Sequence, residues 1–164
     1  MSDEPVVLPI DPDSDELRVG AARPRGTVAR PDVLAVIALG GALGAAARYG
    51  LARAIPTATN AFPWATFWTN LSGSFVLGLF LVVVLERLGP TRYLRPFVAT
   101  GFIGAFTTFS TFAVETDLLV KDGHPGTAAA YVVATLFAGL ACAWLGIGSG
   151  RVLAGGRHIR REPR

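Results

Sequence analysis

The segment richest in chemical possibility runs Gly101-Phe102-Ile103-Gly104-Ala105-Phe106-Thr107-Thr108-Phe109-Ser110-Thr111-Phe112. It packs two glycines, three threonines, a serine and four phenylalanines into twelve residues. Glycine and β-branched threonine are poor helix formers, so their concentration inside an apolar stretch predicts a helix interrupted there. An interruption frees backbone carbonyls and amides at membrane depth, where they are costly unless they face protein, water or an ion. Discontinuous membrane helices use such groups to coordinate ions. The same glycines and threonines also suit close helix packing, and the segment alone leaves both readings open.

Two other stretches carry polar groups in apolar surroundings. In Gly40-Gly41-Ala42-Leu43-Gly44-Ala45-Ala46-Ala47-Arg48-Tyr49, Gly40 and Gly44 form a small-xxx-small pair, and Arg48 shares the face of Gly44. An arginine inside a membrane costs several kcal/mol unless paired, hydrated or able to snorkel, so Arg48 is either a functional charge or an anchor near a helix end. Farther on, Asn70, Gly73, Ser74 and Gly78 recur at helical spacing as a small, polar stripe. Asn70 offers an amide donor to a bare anion or serves as interhelical glue. Phe109 and Phe112 stand one turn apart, and the electropositive edge of such rings suits an anion as well as a core. Glu115 and Asp117, near the end of the same span, flank a vestibule or pair with Arg.

The elements that must position these residues are membrane helices. Hydrophobic residues make up 51% of the 164, and charged residues only 16%, against roughly a quarter in a soluble domain. No Asp, Glu, Lys or Arg occurs from Ala54 to Leu85, from Pro96 to Val114 or from Pro125 to Gly150. These stretches reach or approach the roughly 20 residues that a helix needs to cross the hydrocarbon. With Val33 to Ala52 they give four spans, at about 32–55, 64–86, 93–120 and 126–148, within a membrane domain over 32–149. Asp32 is the expected N-cap of the first. Trp64 and Trp68 sit where indole rings favour the membrane interface. Residues 1–31, rich in Pro, Asp and Arg, read as a disordered tail without the pattern of a signal peptide, and 150–164 as a basic tail.

Four spans put both termini and the turn between spans two and three on one side. Of the 15 Lys and Arg residues only Arg48, Arg53 and Lys121 lie elsewhere, so the positive-inside rule places the termini in the cytoplasm. The arginines flank spans without interleaved aromatic residues, which excludes nucleic acid as a partner. The single Cys142 lies within the last span and offers neither a disulfide framework nor a metal cluster. His124 falls in a turn and His158 in a tail, and no catalytic triad or metal-ligand spacing is present, so the chain is not expected to be an enzyme. A proton-coupled transporter of cationic drugs needs a membrane carboxylate where span one carries Arg48. A non-transporting scaffold remains the other alternative.

At the three stretches quoted, the sequence resembles the fluoride channel family called Fluc or CrcB. The match covers about Leu34 to Gly150. Its signatures are Gly40-Gly41 through Gly44-Ala45 to Arg48-Tyr49, then Asn70-Leu71-Ser72-Gly73-Ser74-Phe75 with Gly78, then Gly101-Phe102 through Gly104 to the Thr107–Phe112 run. The resemblance implies an all-α integral membrane protein with four transmembrane helices, the third broken at its centre, working as an inverted, antiparallel dimer with two pores along the subunit interface. Its implied activity is a fluoride-specific ion channel of the cell membrane that exports fluoride passively and lowers its cytoplasmic concentration.

The resemblance also implies a structural Na⁺ at the dimer centre, held by backbone carbonyls that fall here on Gly104 and Thr107. The implied fluoride pathway passes the edges of Phe109 and Phe112 and the side chains of Asn70, Thr108, Ser110 and Thr111. Tyr131 matches a tyrosine beside the pore, and Arg48 an arginine near the vestibule. A small, strongly hydrated anion needs donors and positive ring edges in place of its water, and a constriction of Phe rings excludes chloride. An inverted homodimer requires one chain to insert both ways. The arginine asymmetry favours one orientation, so the partner is either a second copy with dual topology or an oppositely oriented homologue.

Overall fold

The computed structural model describes residues 30–84 and 91–155. The expected tail before Arg30, the turn holding Glu86 and Arg87, and the basic tail from Arg157 onward lie outside the described residues. Among the described residues four helical segments are long and apolar enough to cross a membrane. The first, α1, spans Pro31–Ala54. Proline suits a first helical turn, because its fixed φ is already helical and its missing N–H would have had no partner there. The helix therefore begins ahead of Asp32, which is not its N-cap. Asp32 lies within the first turn, where its carboxylate accepts from the Tyr93 hydroxyl at 2.8 Å and pairs with Arg92.

The second helix, α2, spans Trp64–Val83. Span three opens as a π-helix over Pro96–Ile103 and continues as a single α turn, α3, over Gly104–Phe106. Thr107 (φ −74°, ψ 158°) and Thr108 (φ −150°, ψ 122°) are extended, and α4 runs over Phe109–Lys121. It ends in a reversal in which the Gly123 N–H reaches the Val120 carbonyl at 3.1 Å and the His124 N–H the Leu119 carbonyl at 2.8 Å. Gly123 takes φ 83°, a left-handed conformation that glycine adopts without a Cβ clash. The last helix, α5, starts at Pro125 and runs on to Leu153, beyond the expected end near 148.

Glycines decide which helices touch. A Cβ on Gly40 or Gly44 would strike the carbonyl of Phe97 or Phe102, and one on Gly101 would lie 2.6 Å from the Ile37 carbonyl. The backbones of α1 and the π segment are thus in direct contact, as small-xxx-small pairs permit. On the other side α2 lies along α5, with Gly146 against the Phe75 backbone and Gly78 against that of Ala143. The two parts of span three have different partners: the π segment and α3 pack on α1, whereas α4 packs on α5. Between α2, α4 and α5 lies a small core of Phe67, Leu71, Leu119, Ala128 and Tyr131, with Phe62 and Phe112 against it. Phe137 and Trp144 of α5 point outward, 66% and 79% exposed, as side chains do that have lipid as their solvent.

Candidate functional site

The site is built around Thr107 and Thr108. The Ile103 carbonyl accepts from both the Thr107 N–H and the Thr107 hydroxyl, each at 2.9 Å, which ends the first part of span three. Thr108 then caps α4: its Oγ1 accepts from the Thr111 N–H at 3.2 Å, satisfying an amide that the helix start would leave unpaired. The same hydroxyl donates to Thr111 Oγ1 at 3.0 Å and lies 3.3 Å from Ser110 Oγ. Three hydroxyls therefore cluster at the N-terminus of α4, where the helix dipole is positive.

From α2, Asn70 grips the same residue by its backbone. Its Oδ1 accepts from the Thr108 N–H at 2.8 Å, and its Nδ2 donates to the Thr108 carbonyl at 3.0 Å. The sequence leaves Asn70 as an anion donor or as interhelical glue; in the structure its oxygen and one amide hydrogen are given to the main chain. Beside this pair opens a cavity of about 510 Å³ lined by Asn70, Thr107, Thr108, Phe109 and Phe112 together with apolar residues of α5. Phe109 is 80% exposed, and its ring centroid lies 5.9 Å from that of Phe112. Phe112 is backed by Tyr131, with ring centroids 5.0 Å apart.

A second cavity, about 440 Å³, is lined by Arg48 and Tyr49 of α1, Thr66 and Thr69 of α2, and Thr108, Thr111 and Glu115. Thr108 therefore borders both. Glu115 accepts from the Thr66 hydroxyl at 2.8 Å on one carboxylate oxygen and from the Tyr131 hydroxyl at 2.8 Å on the other. Asp117 pairs with Lys121 at 2.7 Å, and among the described residues no arginine pairs with it.

The structure thus gathers Asn70, Thr107, Thr108, Phe109 and Phe112 around one cavity, and Arg48, Thr108 and Thr111 around the other. Gly104, Ser110 and Tyr131 line neither, Tyr131 because it is fully buried behind Phe112. Thr66 is the residue that sequence reasoning missed. It is 49 positions from Glu115, and nothing in its own neighbourhood marks it. Among the described residues no group of three or more His, Cys, Asp and Glu is arranged to hold a metal ion.

Four apolar helices, outward-facing hydrophobic side chains and polar groups gathered inside define a multi-pass membrane protein. Residues 35–147 match the family described as CrcB-like protein, Camphor Resistance (CrcB), and the chain belongs to it. Fluoride-specific ion channel FluC 3 of Streptomyces avermitilis is 53% identical over 135 residues, covering 82% of this chain and 66% of that protein. FluC 2 of the same organism is 48% identical over 120 residues, 73% of this chain and 76% of the relative. FluC 1 of Streptomyces coelicolor is 45% identical over 129 residues, 79% and 84% of the two chains. By these names the family is one of ion channels and not of enzymes.

Proposed function

We propose that this chain is one subunit of a fluoride-specific ion channel of the cell membrane, through which fluoride leaves the cytoplasm passively and its toxicity is relieved. One observation carries the reading: Thr108 joins a polar cavity containing Arg48 to an apolar one walled by Phe109 and Phe112. That is the order of surroundings an anion needs on its way from water to a narrow pore. The names of the relatives agree with it.

Fluoride holds its hydration shell tightly, so the pore must offer substitutes. The hydroxyls of Thr108, Ser110 and Thr111 cluster at the positive end of α4. Thr108 gives its hydrogen to Thr111, so the Thr111 hydroxyl, which lines the Arg48 cavity, is the donor that acts on an anion together with the helix dipole. Phe109 and Phe112 present ring edges, which carry partial positive charge, and their bulk is the constriction that holds back chloride. Arg48 brings a fixed positive charge to the entrance. The negative charge of Glu115 in the same cavity is softened by the two hydroxyls it accepts. Tyr131 fixes the ring of Phe112 from behind.

The cavity beside Phe109 is open on the outside of this chain, and a second, inverted subunit completes it. In this reading span three acts as a broken helix whose carbonyls at Gly104 and Thr107 hold a structural Na⁺ at the dimer centre. The donor chemistry fits, since hard carbonyl oxygens suit a hard cation. The amides that helical register would give to these carbonyls are those of Thr108 and Thr111, and both are engaged by side chains. Na⁺ would supply a fixed positive charge between the pores. The arginine bias places the termini in the cytoplasm.

The experiment is growth. In a bacterial host stripped of its own fluoride exporters, expression of this chain with its partner subunit raises the fluoride concentration that cells survive. Unchanged tolerance with the proteins present in the membrane would sink the proposal.

A further inference from the structure

We infer that Asn70 is the positioning residue that keeps the carbonyls of Gly104 and Thr107 open to a cation, by pairing with the backbone of Thr108 as a neighbouring strand would. The inference rests on the Na⁺ reading given under the proposed function. In an unbroken α-helix the Thr108 N–H would bond the Gly104 carbonyl four residues earlier. Here that N–H is turned to Asn70 Oδ1 at 2.8 Å, and the Thr108 carbonyl to Asn70 Nδ2 at 3.0 Å. A helical residue points its N–H and C=O in opposite directions along the axis, so one carboxamide cannot reach both. An extended residue offers both to the same side, as in a hydrogen-bonded pair of antiparallel strands. The φ −150°, ψ 122° of Thr108 is that conformation.

Asn70 thus selects the extended form of Thr108, and two consequences follow. Gly104 loses its helical donor. Thr108, turned outward from the helical path, becomes the cap of α4 and takes the Thr111 N–H that helical register would give to the Thr107 carbonyl. The two carbonyls are left as acceptors by a single side chain on another helix.

Gly73 supports the geometry from the next turn of α2. A Cβ there would collide with the methyl group of Thr107, so α2 can come close enough for Asn70 to reach only because position 73 has no side chain. The residue also links the two functions of the site. The carboxamide that frees the carbonyls for a cation is the one that sets the start of α4, whose hydroxyls face the anion.

The test compares the full-length wild type, Asn70→Leu and Asn70→Asp in lipid nanodiscs, with Asn70→Ser replacing Asn70→Leu should that variant not fold. The first readout is hydrogen exchange at the Thr108 amide. Loss of its acceptor accelerates exchange roughly tenfold or more in Asn70→Leu, and Asn70→Asp, which keeps an acceptor for the Thr108 N–H but loses the donor to its carbonyl, falls between the wild type and Asn70→Leu. The second is thermal stability across a NaCl series against KCl at constant ionic strength. The Na⁺ concentration giving half the stabilisation rises about tenfold in Asn70→Leu.

Wild-type exchange in Asn70→Leu overturns the inference, as does fast exchange with an unchanged Na⁺ response. A wild type whose stability is indifferent to Na⁺ overturns the cation reading itself, and this inference with it. The exchange data separate the two failures.

Discussion

Tyr131 donates its hydroxyl hydrogen to Glu115 Oε2 at 2.8 Å, and through that bond the last helix is tied to the second part of span three. Thr66 completes the connection from α2 on the other carboxylate oxygen. A carboxylate inside a membrane protein is costly unless its oxygens are satisfied, so the three residues stand or fall together.

Tyr131→Phe keeps the ring against Phe112 but leaves one oxygen of Glu115 without its donor. The expected loss is roughly 1 to 3 kcal/mol, the worth of a hydrogen bond to a charged group. Reversible unfolding in mixed micelles of rising SDS content measures it. Stability equal to that of the wild type would show that the bond contributes nothing.

The contact between α1 and the π segment makes a sharper structural prediction. Gly44→Val places carbon where the Phe102 carbonyl lies, and neither backbone can retreat without opening the interface, so the cost is about 1 to 3 kcal/mol or more. Gly148→Ala is the control, since a Cβ at that position meets nothing within 4 Å. There the substitution gains up to about 1 kcal/mol of helix propensity. The same unfolding assay compares the two, and equal effects would contradict the packing described.

The proposed orientation, with the termini in the cytoplasm, rests on the arginine bias and can be tested directly. With Cys142→Ser as background, Asp122→Cys, in the turn between α4 and α5, should react with an impermeant reagent only from outside intact cells. Reaction also from the cytoplasmic side would mean that the chain inserts both ways and pairs with its own copy.

The spans were legible in the sequence because an uncharged stretch of membrane length has few other uses. Gly40 and Gly44 were legible as a place of close approach, and Phe102 with Phe97 is what approaches. The π register of Pro96–Ile103 was not. That segment carries a single polar residue, Thr100, so no periodicity distinguishes one hydrogen-bond spacing from another. The place of Asp32 within its helix was hidden for another reason: Pro31 outcompetes it for the start, and its partners Arg92 and Tyr93 are remote in sequence. Distance also concealed the bonds of Glu115 to Thr66 and Tyr131, and the grip of Asn70 on the backbone of Thr108, 38 positions away.

Fluoride efflux from liposomes, followed with a fluoride electrode, tests the central claim most directly. Vesicles loaded with fluoride and holding the assembled protein should empty rapidly once the membrane potential is released, while chloride stays trapped. Phe112→Ile, which removes the ring edge and keeps an apolar side chain, should slow fluoride release with the assembly intact. Fluoride retained by the wild-type protein, or chloride released as fast as fluoride, would contradict the account.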